Sequence, residues 1–105
     1  MSKVTPIRPT AKKALEWLKE AGKGARPLVF TEHAEFRMKQ RRVGRRQVLE
    51  TLRNGTISEP LHQDARGDWR CNVSWFYAGV RLTVGVVFKI NGRGELVVVA
   101  TVFEG

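Results

Sequence analysis

The hydrophobic pattern changes period near residue 55. Before it, apolar side chains recur at helical spacing; after it, they alternate along strands. Ala14, Leu15, Leu18 and Ala21 form one stripe of a helix that Thr10 can cap and Gly22 can end. Lys12 and Lys13 in its first turn oppose the helix dipole, so its start is expected to fray. Residues 1–9, with Pro6 and Pro9, read as an extended arm. Residues 22–27 read as a loop, and Leu28-Val29-Phe30 as a short strand or extended lead-in. Thr31 then caps a second helix, with Glu32 and Glu35 favourable in its first turn and Ala34 and Met38 as its core contacts. A break is expected near Val43-Gly44. A third helix follows, with Val48, Leu49 and Leu52 inward and Asn54-Gly55 as its stop.

From Thr56 to Gln63 the chain predicts an edge strand, because Pro60 cannot donate to a ladder on both sides. Trp69, Cys71, Val73, Trp75 and Tyr77 then share one strand face, and Arg70, Asn72, Ser74 and Phe76 the other. Ala78-Gly79 marks a tight turn. Val80, Leu82, Val84, Val86, Phe88 and Ile90 form the next apolar face. Asn91 to Gly94 is a hairpin signal, and Leu96 to Phe103, apolar on both faces, reads as a central strand. The expected class is α+β, with N-terminal helices packed on a four-stranded antiparallel sheet. Residues 1–26 are expected as an arm with an extra helix, and residues 27–105 as one α+β domain.

Composition narrows the function. The 105 residues suit one domain, and no apolar run approaches the roughly 18 residues of a membrane span. The first residues carry no apolar export signal, and the single cysteine, Cys71, fits a reducing cytoplasm. The net charge is +9, with a one-sided distribution. Residues 1–53 hold 14 basic and 5 acidic side chains, while residues 54–105 hold 5 of each. Such asymmetry fits a polyanion-binding face on the helices, or a solvated helical surface.

Within that basic half, His33, Arg37 and Arg41 are spaced four residues apart. On a helix they stack along one stripe, each roughly 6 Å above the last. Imidazole can move a proton near neutral pH, and guanidinium pairs bidentately with oxyanions. At about 100° per residue the stripe borders Ala34 and Met38, at the seam where the helix meets the rest of the fold. The alternative is that both arginines snorkel from that seam into water.

The run Glu32-His33-Ala34-x-x-Arg37-Met38-x-x-Arg41-x-Val43, the helix through Val48, Leu49 and Leu52, the Asn54-Gly55 stop and the strand Val98-Val99-Ala100-Thr101-Val102 resemble a family of small bacterial and phage domains of unknown function. That family in turn resembles RelE-like ribonuclease toxins of the barnase–EndoU–colicin–RelE fold group. The resemblance spans about residues 30–103. It implies two helices against a four-stranded antiparallel sheet and a catalytic set of His33, Arg37, Arg41 and, on the last strand, Thr101. Gly44-Arg45-Arg46 departs from it, since such domains often carry a polar cap and acidic residues there.

The chemistry that fits is metal-independent RNA cleavage by 2′-hydroxyl attack, without a cofactor. His33 would transfer protons, Arg37 and Arg41 would clamp phosphate, and Thr101 would supply a hydrogen bond. Lys39, Arg42, Arg45 and Arg46 would hold RNA backbone, and Phe76, on the more polar strand face, would stack a base. Trp69 and Trp75 read as core. A second proton-transfer group is missing from the stripe; His62 on the edge strand and Tyr77 are the alternatives. Two histidines and one cysteine do not make a metal site, and Cys71 on an apolar face is a poor nucleophile. The expected partners are RNA, ribosome-associated mRNA included, and an acidic antitoxin protein, with no membrane. The alternative is a non-catalytic nucleic-acid-binding or protein-interaction module on the same scaffold.

Overall fold

The computed structural model describes residues 10–77, 79–91 and 94–104. The expected arm over residues 1–9 lies outside them, as do Ala78 of the turn and Gly92 and Arg93 of the hairpin; the side chains of Tyr77, of residues 90–91 and 94–100 and of Glu104 are also outside. Three helices come first: α1 (Ala11–Gly22), α2 (Glu32–Arg41) and α3 (Arg45–Asn54). Between α1 and α2 lies β1 (Leu28–Phe30); after α3 come β2 (Thr56–Gln63), β3 (Trp69–Tyr77), β4 (Val80–Asn91) and β5 (Gly94–Glu104).

Local chemistry sets the helix ends. Thr10 and Thr31 accept from the backbone N–H of Lys13 and Ala34, so both hydroxyls cap as their sequence position suggests. Arg42 ends α2 in the left-handed region, at φ 56°. Its N–H and that of Val43 return to the carbonyls of Lys39 and Met38, which closes the last turn. Gly44 starts α3 without a side-chain cap of its own; Gln47 Oε1 accepts from its N–H at 2.8 Å instead.

The sheet order is β1-β5-β4-β3-β2. The last four strands form the antiparallel meander expected, and β1 adds a fifth, parallel to β5 in the register Leu28↔Val97 to Phe30↔Val99. The expected four-stranded antiparallel sheet is present, and β1 extends it by one short parallel strand. β2 lies at the edge opposite β1, and its register slips twice, between Ile57 and Glu59 and, around Pro60, between Glu59 and His62. β5 lies inside the sheet, and its register with β4 shifts between Gly85 and Val86, skipping Ala100.

The core forms where helices meet one sheet face. Leu82, Val84, Val86 and Phe88 of β4 and Cys71 and Val73 of β3 pack with Ala14, Leu18, Ala21, Val48 and Leu52. Ala34 and Met38 of α2 join the same cluster, as their helical spacing predicts. Trp17, outside the predicted stripe, is 3% exposed and meets the Phe88 ring at 5.5 Å. Arg26 covers Trp17 from outside, 5.6 Å from its ring, while pairing with Glu20 at 2.7 Å. α1 and α3 approach closely at Gly22. A Cβ there would lie 2.6 Å from Arg53 Cγ and 2.8 Å from the Leu49 carbonyl oxygen. Arg53 Nη1 donates to the Gly22 carbonyl at 3.1 Å, which satisfies a carbonyl at the end of α1.

Trp17→Ala is expected to lower stability by about 3–5 kcal/mol, the range for a large buried aromatic. Urea unfolding would read this as a lower midpoint with an unchanged slope.

Candidate functional site

The helices leave the other sheet face polar. Along β3, Arg70, Asn72, Ser74 and Phe76 alternate onto it. Ser74 Oγ donates to Ser58 Oγ at 2.7 Å and lies 2.7 Å from Thr83 Oγ1. With the Ser74 proton committed to Ser58, Thr83 is the donor of the second bond. The hydroxyls link β2, β3 and β4, and they satisfy Ser74 and Thr83, both buried.

Beside this chain, β4 carries Gly85, which faces Asn72 on one side and Thr101 on the other. A Cβ at Gly85 would lie 2.8 Å from Thr101 Cγ2 and 3.2 Å from Asn72 Oδ1. The missing side chain leaves a hollow of about 110 Å³, lined by Glu59, His62, Arg70, Asn72 and Thr101 around Gly85. The register shift in β5 falls beside it, and bulges of this kind re-aim side chains next to active sites. His62 Nδ1 lies 3.0 Å from the Pro60 carbonyl oxygen. A carbonyl only accepts, so this bond puts the proton on Nδ1 and leaves Nε2 to exchange one.

Cys71 also lines this hollow but is buried. Desolvation, aided by the charge of Glu59, pushes its thiol up to about 12. It is therefore no nucleophile at neutral pH, as its strand position suggests.

Arg70 joins the hollow to a larger cleft of about 490 Å³. This cleft lies between the β2–β3 loop, Thr31 before α2, and Val87 and Lys89 of β4. The loop is ordered by one carboxylate. Asp64 Oδ1 accepts from the N–H of Arg66 at 2.9 Å and of Asp68 at 3.0 Å, and its Oδ2 faces Arg70 Nε at 3.0 Å. Desolvation works against the Asp64 charge, but the two N–H donors and the Arg70 guanidinium outweigh it and hold its pKa below the ordinary value.

The sequence-derived candidates divide between two places. Thr101 lines the sheet hollow; His33, Arg37 and Arg41 do not. They lie on α2, with His33 and Arg41 exposed and Arg37 half-buried, its Nη1 3.5 Å from Gln40 Oε1. The seam description therefore holds for Arg37 alone. Lys39, Arg42, Arg45 and Arg46 are exposed, and the first three border a second hollow of about 500 Å³ at the α2–α3 corner. Arg45 is engaged there: it lies 4.3 Å over the Phe30 ring and 3.6 Å from Glu35. Phe76 is 66% exposed and in register with Arg81.

Glu59, Arg70 and Asn72 were not sequence candidates. The glycine inside the apolar run of β4 was their available signal, since such glycines mark close approach of another group. Among the described residues no three metal-ligating side chains converge, and no helix is long and apolar enough to cross a membrane.

A family model described as a domain of unknown function, DUF4258, matches residues 30–104. The chain belongs to the DUF4258 family. The match takes in both α2 and the sheet hollow and begins after α1. No curated protein and no solved structure matches the chain.

Within this DUF4258 domain, Asp64 supplies a pH test of the loop that walls the cleft. Its lowered pKa means that its stabilising effect is present above the unfolded carboxylate value, about 3.9, and is lost as pH falls through the lower folded value. Asp64→Asn is expected to melt below wild type at neutral pH. The gap in Tm should close as pH falls from about 5 to about 2.

Proposed function

We propose that the protein is a metal-independent endoribonuclease whose reacting phosphate sits in the hollow over Gly85. The observation that carries this reading is the convergence there of a carboxylate, an imidazole, a guanidinium and two further hydrogen-bonding side chains. The resemblance to RelE-like ribonucleases supports the activity, with Thr101 alone of its implied catalytic set lining this hollow, and the excess of exposed cations on α2 and α3 supports RNA as the substrate.

Cleavage needs one group to accept a proton and another to donate one. In this reading Glu59 takes the proton of the ribose 2′-hydroxyl, and the 2′ oxygen forms a bond to the adjacent phosphorus. The bond from phosphorus to the 5′ oxygen breaks, and the protonated His62 gives its Nε2 proton to that oxygen. The products are a 2′,3′-cyclic phosphate and a 5′-hydroxyl end. Arg70 offsets the charge that builds on the phosphorane, and Asn72 and Thr101 hydrogen-bond its oxygens. Both proton-transfer groups then come from β2, and none is drawn from the α2 stripe.

His33, Arg37 and Arg41, with Lys39, Arg42 and Arg46, then hold flanking phosphates, a role that tolerates long, solvated side chains. Phe76 stacks a flanking base. RNA in the cytoplasm is the substrate, and a basic surface of this kind also suits an acidic inhibitor protein. A second reading, a binding module without catalysis, is favoured by the exposed cations alone.

The purified protein is expected to cut RNA in EDTA and leave 2′,3′-cyclic phosphate ends. His62→Ala and Glu59→Gln should each lower kcat by roughly 10²–10⁴-fold while the fold persists. His33→Ala should act mainly on KM. Full activity in His62→Ala with loss in His33→Ala would move the proton transfer to α2. Salt-dependent binding without product would leave the non-catalytic reading.

A further inference from the structure

The larger cleft has no role in the step just described, although it shares Arg70 with the hollow. Its volume of about 490 Å³ falls within the range of small-molecule sites, about 300–1,000 Å³. Its floor includes Val87, 6% exposed and apolar. Its walls carry three cations, Arg66, Arg70 and Lys89, and two carboxylates, Asp64 and Asp68. The cleft therefore has one positive charge in excess, which matches the single negative charge of a phosphodiester.

Those charges are unevenly committed. Lys89 Nζ is bound to Asp68 Oδ2 at 2.6 Å. Arg70 pairs with Asp64 through its Nε at 3.0 Å. Arg66 is exposed and has no ion-pair partner among the described residues. The exposed Arg66 guanidinium, with no ion pair of its own among those residues, is the group in this cleft that an incoming phosphate oxygen would engage.

Position along β3 adds a direction. Arg70, Asn72, Ser74 and Phe76 follow one another on the polar face. At about 3.3 Å per residue, the path from Arg70 to Phe76 is roughly 20 Å. The cleft lies at the Arg70 end, the hollow at Asn72 and the exposed ring at the far end.

We propose that this cleft is a nucleotide subsite, which takes one nucleoside phosphate unit of a single-stranded RNA with its phosphate against Arg70 and Arg66 and its base over Val87. The proposal rests on the ribonuclease reading, because it places this unit next to the reacting phosphate in the Gly85 hollow. Its ligand is set by shape and charge: an apolar floor for a base, and one net positive charge for a phosphodiester.

The test uses the full chain and two probes, adenosine 3′-monophosphate and inorganic phosphate, followed by amide chemical shifts and by calorimetry. The nucleotide is expected to shift the amides of Ala65, Arg66, Val87 and Lys89 and to bind more tightly than phosphate. Arg66→Ala should weaken it about five- to tenfold, the scale of one charge-assisted hydrogen bond. Lys12→Ala, on the exposed face of α1, should leave its affinity unchanged. Equal affinity for both probes would overturn the subsite in favour of a bare anion contact, and so would shifts confined to the α2–α3 corner. RNA cleavage with an unchanged KM in Arg66→Ala would overturn the subsite and leave the ribonuclease reading standing. Nucleotide binding in the cleft by a protein that cuts no RNA would overturn the ribonuclease reading and uphold the subsite as a binding site.

Discussion

The packing of helices onto one face of the sheet is the constraint from which the rest follows. Trp17 and Leu18 of α1, with Val48 and Leu52 of α3, enclose the β4 side chains from Leu82 to Phe88. A sheet covered this way has a second face that must be wetted or satisfied internally. The chain does both. Ser58, Ser74 and Thr83 satisfy one another across three strands, and Arg70 and Lys89 pair with the carboxylates of the β2–β3 loop. The polar groups that make this face tolerable are also the groups that could act on a substrate.

Gly85 turns that face into a site. The strand interior disfavours glycine, because it adds backbone entropy to the unfolded chain and packs nothing. Here it lets Asn72 and Thr101 close in from both neighbouring strands and leaves room above β4. Three irregularities border the same place. Two are slips in β2, between Ile57 and Glu59 and between Glu59 and His62; the third is the shift in β5 beside Thr101. Both neighbours of the hollow therefore depart from regular pairing, while β3 and β4 keep an unbroken register from Trp69↔Phe88 to Tyr77↔Val80. A rigid central pair with re-aimed side chains on either flank is a sound base for positioning groups.

Much of the fold could be read from the chain because the deciding signals are local. Thr10 and Thr31 cap as hydroxyls before helices do, Val43-Gly44 breaks the helices, and Pro60 keeps β2 at the edge. Leu28-Val29-Phe30 reads locally as a short strand, but its place in the sheet does not, because its parallel partner lies near the far end of the chain. Trp17 flanks the stripe of Ala14, Leu18 and Ala21, and it is buried because α1 presents a wider face to the core than that stripe marks. The site was harder still. Glu59, His62, Arg70 and Thr101 come from three strands, and they meet only after a strand slip that no period in the sequence announces. The stripe of His33, Arg37 and Arg41 was visible because four-residue spacing is a local property.

In the proposed ribonuclease, the division of roles between helices and sheet has a physical logic. The cations on α2 and the α2–α3 corner sit on long, exposed side chains, whereas the hollow is framed by strands. Attraction to a polyanion is long-ranged and tolerates loose placement, so solvated side chains serve it well. Proton transfer requires heavy atoms within hydrogen-bond reach, and strands hold side chains to that tolerance better than an exposed helix face does. α1 contributes to both through packing alone. It precedes the family-matched region, yet Ala14, Trp17, Leu18 and Ala21 lie in the common core. By burying Phe88, Trp17 fixes β4 from behind, and β4 carries Gly85 on its other face, so a residue outside the matched region helps to set the floor of the site.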